Sequence, residues 1–359
     1  MKKKFLVLEN GMVFEGKGFG YDAEATGELV FNTTAGGYTE ILTDPSYYGQ
    51  IVMQTFPLIG NFGLSSEDFE GPAPVLFGYV VREYCTTPSN FRCEMTLEDF
   101  LIKNKIPGIC GIDTRHLTEI IRDNGAMNAC IADEVTDKVK ENLKKYRISS
   151  DCTKKVSTKK AAEYAAQGEE KYKVALIDLG VTKSLIDSLT KRGCKVIAFP
   201  YNTTAEDVLK VSPDGIMLSN GPGDPVDNSL CIDQIKKLIG KKPIFGVGMG
   251  HELFALSVGA QTEKMKHGHR GGNPVKNVTT GRVFISSQNH GYAVKCDSLP
   301  ESAVLTHINV NDGTCEGIEY PSLKAFTLQF PPEACPGPTE AMQMTDKFCK
   351  MMEDEKVCR

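Results

Sequence analysis

No stretch of this chain approaches the roughly 18 consecutive apolar residues that a membrane-spanning helix needs, so a helical membrane protein is not expected. The short run Phe5–Leu8 follows a cluster of lysines, yet Glu9 and Asn10 end it long before a secretory leader would be complete. Positive charge is not in excess either. Lys and Arg total 41 against 46 Asp and Glu, and the net charge of -5 makes no electrostatic case for nucleic acid or an anionic membrane surface. Although there are 12 cysteines, no C-x-x-C pair or zinc spacing occurs among them. Scattered thiols in a chain of this size read as reduced, mostly core or incidental, which places the protein in the cytosol as an expectation. In that setting the Asn-x-Thr triplets at Asn32, Asn202 and Asn277 carry no glycosylation signal, and no metal site is expected. His267 and His269 in KHGHRGGN lack a third ligand nearby, so a structural role is the better reading for them.

With 359 residues, 41% apolar and 24% charged, the chain is long enough for two domains with proper cores. Residues 1–150 carry short alternating runs, such as Phe5–Leu8, Leu29–Asn32 and Gln50–Gln54, separated by Gly, Asn-Gly and Asp-Pro turns. This predicts a mostly β domain. Helices are expected from Thr96 to Asn104, with Thr96 as cap, and from Asp113 to Asn124, ended by Asn124-Gly125. Residues 151–172 turn to Lys, Ala, Glu, Thr and Ser and read as an interdomain linker, helical in part through Lys160–Gln167. From residue 173 to 359 strands and helices alternate: Val174–Leu179, Lys183–Arg192, Lys195–Pro200, Ala205–Val211, Gly215–Leu218 and Ser229–Ile239. The fold class is therefore α/β, with a doubly wound, mainly parallel sheet whose ligands gather at the carboxyl ends of the strands.

The stretch PIFGVGMGHELFALSVGA, Pro243–Ala260, reads as an apolar strand, a tight glycine turn, and a helix beginning near His251 or Glu252. That is the pattern of a nucleophile elbow, in which a strained apex residue projects above the sheet and the following N–H points at the reacting carbonyl. Here the apex is Gly248, which has no side-chain atom to attack with. Two competing readings exist. A dinucleotide fingerprint fails because its third glycine falls on His251, whereas a plain strand-to-helix turn with glycines for close packing remains open.

SNGPGDP at Ser219–Pro225, the elbow, QNHGY at Gln288–Tyr292 and PPEACPGP at Pro331–Pro338 together closely resemble the class I glutamine amidotransferase domain. VFNTTAGGYTEILTDPSYYGQIV at Val30–Val52, FPLIGNFG at Phe56–Gly63 and GIDTRHLTEIIRDNGAMN at Gly111–Asn128 resemble the partner domain in the small subunit of carbamoyl-phosphate synthase. The resemblance implies an amidotransferase-like second domain and a large-subunit partner that carries ATP and magnesium, with no cofactor in this chain. It implies carbamoyl phosphate synthesis for arginine and pyrimidine production.

In that family a Cys at the apex forms a thioester, a His serves as base and acid, and a Glu orients the His. By resemblance those roles fall on Gly248, Pro331 and Glu333, so nucleophile and base are both missing and glutaminase activity is expected to be lost. Substrate contacts fall on Gly221, Gly223, the Met249 N–H, Ser46, Asn289, Gly291 and Tyr292. Glu252 stands where the family has Gln; an ionised carboxylate there repels the α-carboxylate of glutamine, so weak glutamine binding is expected, with ammonia as nitrogen source. Glu252 and Glu333 are then candidates for favouring ammonium. Cys335 is the nearest thiol to the lost triad but lies off the elbow, and His251 and His290 are expected to serve local hydrogen bonds. Phe330 stands where the family usually has a small residue. The alternatives are an active glutamine-hydrolysing subunit and a binding module with no synthase partner.

Overall fold

A computed structural model describes residues 2–333 and 341–357 and separates into two units, Met1–Ser149 with Lys266–Gly271, and Ser150–Met265 with Gly272–Arg359. Among the described residues no helix is long and apolar enough to cross a membrane.

The first unit is built on a closed barrel. Its strands Lys3–Leu8, Val13–Gly20, Ala25–Asn32, Gln50–Gln54, Gly78–Val80, Pro107–Cys110 and Met127–Ala132 take in the alternating runs seen in the sequence. Antiparallel and parallel pairs are mixed: Val7 faces Val13 antiparallel, whereas Leu29 lies beside Ile51 in a parallel pair. Lys3–Leu8 pairs on its other side with Met127–Ala132, which closes the cylinder and leaves no free edge. The two expected helices form as Leu97–Lys103 and Thr114–Asn124. Thr96 Oγ1 accepts the Asp99 N–H at 3.1 Å and Asp113 Oδ1 accepts the His116 N–H at 3.1 Å, satisfying donors that a helix start leaves open.

The second unit carries a ten-stranded sheet. At its centre run, in spatial order, the parallel strands Cys194–Pro200, Tyr172–Asp178, Gly215–Leu218, Ile244–Val247 and Ala325–Leu328. Alternation sorts their side chains onto two faces. Val174 and Leu176 pack with helix Lys183–Thr190 and with Phe348 and Met352 of helix Gln343–Val357. Ala175 and Ile177 pack with Val208, Ile235 and Leu253 from helices Ala205–Lys210, Ser229–Leu238 and Met249–Ser257. Beyond the parallel block, antiparallel strands extend the sheet from Cys315–Tyr320 outward.

One sequence expectation changes here. The Lys160–Gln167 stretch is not helical: Ala162–Tyr164 is an antiparallel edge strand beside Val196–Ala198. The alanines favour a helix locally, but an open sheet edge supplies backbone partners and Lys195 meets Glu163 at 2.8 Å, so tertiary pairing overrides propensity.

Candidate active site

Ile244–Val247 is a strand of four buried residues in the middle of the parallel block. At its carboxyl end Gly248 takes φ 56 and ψ -115, and helix Met249–Ser257 follows at once. The helix thus starts two or three positions earlier than expected. Gly248 alone separates strand from helix, its positive φ making a turn that other residues rarely adopt, so helical dihedrals begin at the next residue. The Gly248 N–H donates to Leu328 O at 2.9 Å and the Gly250 N–H to Ser219 O at 3.0 Å, which pins the turn to the strand ends on either side.

The three glycines of the elbow are required for different reasons. A Cβ at Gly246 would lie 2.8 Å from Gly250 O and 3.0 Å from Thr327 Cγ2, and one at Gly250 would lie 2.6 Å from Leu218 Cβ and overlap Leu218 O. Close packing of helix on sheet accounts for both. At Gly248 the nearest atoms would be Asn220 Cβ at 3.3 Å, Asn220 Cα at 3.5 Å and Gln329 O at 3.8 Å. The apex is therefore the elbow position with space for a side chain, and its missing Cβ faces the point where the ends of three parallel strands meet. Gly250→Ala is expected to cost about 2–3 kcal/mol by overpacking. Gly248→Ala should cost about 1–2 kcal/mol from its positive φ alone. Urea denaturation of both variants tests this, and a larger loss for Gly248→Ala would overturn it.

The loop after Gly215–Leu218 is equally constrained. Gly221 packs so closely that a Cβ would overlap Leu179 O, and a Cβ added to Gly223, which holds φ 96, would lie 3.0 Å from Cys152 Cβ. Ser219 Oγ accepts the Leu179 N–H at 2.9 Å and donates to Asn220 O at 2.8 Å. The Met249 N–H, first in its helix, has no intrahelical acceptor and can serve as an anion donor. Gly248, Met249, Asn220 and Gln329 are thus brought to one place. Asn220 and Gln329 were missed by sequence reasoning, although Asn220 sits inside the SNGPGDP motif and that was the available signal.

Behind the elbow, Glu252 is 3% exposed and accepts a hydrogen bond from Gln329 Nε2 at 3.1 Å. Burial pushes its carboxyl well above the usual carboxylate range, while the Gln329 bond acts the other way. Burial thus disfavours the ionised carboxylate. The expected repulsion of a glutamine carboxylate and the attraction of ammonium both need the ionised form, which burial works against here. Because the folded pKa is raised, the stability Glu252 contributes is full below its unfolded value of about 4.3 and is lost as pH rises through the folded value. Glu252→Gln keeps the acceptor for Gln329 and should gain stability relative to the parent as pH rises above about 5. Parallel stability-versus-pH curves for the two proteins would contradict this. Next to it, His251 is fully buried, held at about 3 and so neutral by desolvation, with Nδ1 2.7 Å from Thr327 Oγ1.

Asn289, Gly291 and Tyr292 lie on strand Val283–Val294. Asn289 and Gly291 share one half-buried face by the two-residue period, and the buried Gln288 and His290 point the other way. There His290 Nε2 lies 3.0 Å from Gln288 Oε1, and Gln288 Nε2 donates to Glu316 Oε2 at 2.8 Å. His290 thus has the local bonding expected of it.

Phe330 is fully buried, Pro331 and Glu333 are half-buried, and PPEACPGP runs from there out of the described residues, taking Cys335 with it. Ser46 belongs to the first unit, in the turn Pro45–Tyr47, where its N–H donates to Asp44 Oδ1 at 2.8 Å. His267 and His269 belong to the Lys266–Gly271 segment of that same unit.

Comparison with known proteins follows this division. Residues 6–131 match the family described as carbamoyl-phosphate synthase small chain, CPSase domain, and residues 175–351 match glutamine amidotransferase class-I. The carbamoyl phosphate synthase small chain of Clostridium perfringens is 50% identical over 98% of this chain and 99% of its own. That of Fusobacterium nucleatum is 49% identical over 99% of each. The carbamoyl phosphate synthase pyrimidine-specific small chain of Bacillus subtilis is 49% identical over 99% of each. From end to end, then, the chain belongs to the carbamoyl-phosphate synthase small chain family, with a class-I glutamine amidotransferase domain as its second part.

Proposed function

We propose that this chain serves as the small subunit of a carbamoyl-phosphate synthase without hydrolysing glutamine itself. The observation that carries the reading is Gly248 at the apex of an otherwise complete elbow. Acyl transfer from a carboxamide begins with attack by a thiolate or alkoxide, and glycine supplies neither. Proline at 331 cannot accept or donate a proton through its side chain, so a general base is missing as well. What remains are the positioning elements: the Met249 N–H, the Gly221–Gly223 loop, Asn289, Gly291 and Tyr292, with Glu333 as the orienting carboxylate.

In this reading the partner is a large subunit that binds ATP and magnesium, free ammonia is the nitrogen source, and the carbamoyl phosphate feeds arginine and pyrimidine synthesis. The small subunit holds the partner in its working state. The test is carbamoyl phosphate formation by the complex reconstituted with its large subunit, supplied with glutamine and then with ammonium chloride. Product from ammonium alone is the expected outcome; equal rates from glutamine would sink the reading.

A further inference from the structure

Away from the elbow, two cysteines of the second unit share one cavity. Cys296 opens the short turn Cys296–Ser298 and is exposed, whereas Cys315 begins strand Cys315–Tyr320 and is fully buried. Both line a cavity of about 360 Å³ together with Lys295, Asp297, Asp312 and Thr314. The two thiols perturb one another's ionisation, the exposed one downward and the buried one upward. This is the arrangement that peroxide- and disulfide-sensitive thiols adopt: one accessible sulfur stabilised as thiolate and a second one behind it.

We propose that Cys296 and Cys315 form a redox pair, in which Cys296 is modified by small disulfides and Cys315 resolves the adduct into an internal disulfide. In the first step the Cys296 thiolate attacks one sulfur of the small disulfide, whose S–S bond breaks and releases one thiolate. In the second the Cys315 thiol gives its proton to solvent and attacks the Cys296 sulfur, expelling the other half as a second thiolate. Two protein thiols are oxidised and one disulfide is reduced to two thiols, so atoms and electrons balance.

The electrostatics favour Cys296 as the entry point. Interaction with the Cys315 thiol brings it down to about 7, against the opposing effects of partial burial, Asp297 and Glu263. Lys295, which pairs with Glu263 at 3.9 Å, places a cation in the same cavity wall. Another pair provides an internal comparison. Cys194 and Cys349 have sulfurs 4.0 Å apart, but Cys194 is fully buried and Cys349 half-buried, so an attacking disulfide reaches them less readily.

The experiment incubates the full chain with oxidised glutathione at neutral pH and follows intact mass and peptide maps. Near pH 7 Cys296 should hold about tenfold more thiolate than an ordinary cysteine, and a several-fold faster reaction should survive its lower intrinsic nucleophilicity. A transient glutathione adduct at Cys296 should give way to a Cys296–Cys315 crosslink, ahead of any change at Cys194 or Cys349. In Cys315→Ser the adduct should form and persist; in Cys296→Ser neither adduct nor crosslink should appear. Modification of Cys296 no faster than that of the half-buried Cys85 and Cys93 would overturn the proposal. So would an adduct whose lifetime is the same with and without Cys315.

Discussion

Glutamine mixed with the purified chain is expected to release ammonia no faster than about 10³–10⁴-fold over the reaction in water, the residue that positioning and an oxyanion donor leave when a nucleophile and its base are absent. The double variant Gly248→Cys with Pro331→His is expected to raise that rate by at least about a hundredfold. The geometry at the apex is what permits restoration. Gly248 already holds the positive φ of an elbow, and a Cβ there comes closest to Asn220 Cβ at 3.3 Å, a contact that a few tenths of an ångström relieves. The Met249 N–H is in place behind it. Gly248→Cys alone should gain little, because without a base the thiol stays largely protonated and the leaving amine receives no proton. Ammonia release measured by a coupled assay decides the matter, and a covalent glutamyl adduct trapped on the parent chain would refute the expectation outright.

Phe330→Ala should cost about 3–5 kcal/mol, the largest stability loss expected near the site. Its side chain is 0% exposed and meets Phe284 and His307 edge to face, with centroids at 5.7 Å and 5.9 Å. Burial lowers His307 to about 4, so it meets Phe330 as a neutral ring. Truncation leaves a cavity between partners carried on two strands, Val283–Val294 and Val304–Asn309, which cannot collapse inward together. Phe330→Leu should lose much less, since it keeps most of the apolar volume. The same anchor determines where the chain leaves the sheet just before Pro331, so the activity regained through Pro331→His should fall when Phe330 is also truncated. Urea denaturation gives the stability loss, and a value below about 1 kcal/mol in Phe330→Ala would show that the pocket repacks.

Much of the second unit could be read from residue order. Strand and helix patterns located Val174–Leu179, Gly215–Leu218 and the helices after them to within a residue or two, because a strand buried on both faces reads as a continuous apolar run and a helix packed on it needs a repeating apolar stripe. Thr96 and Asp113 marked helix starts for a similarly local reason: a side-chain oxygen three residues ahead of an open N–H closes the cap. The Lys160–Gln167 stretch went the other way, since a short Ala-rich segment has too little helical stability to compete with a waiting sheet edge.

By itself the amino-acid order determined the two-part division of composition, the alternation of elements, the family motifs and the identity of the apex residue, all of which rest on local chemistry or on covalent fact. Only the tertiary structure decided the closure of the barrel, the clearance around Gly248, the burial of Glu252 and the placing of Cys296 and Cys315 on one cavity. Each of these depends on atoms delivered by distant segments, and both steric clearance and the free energy of holding a charge or a thiolate are set by what surrounds a group, which no linear pattern records.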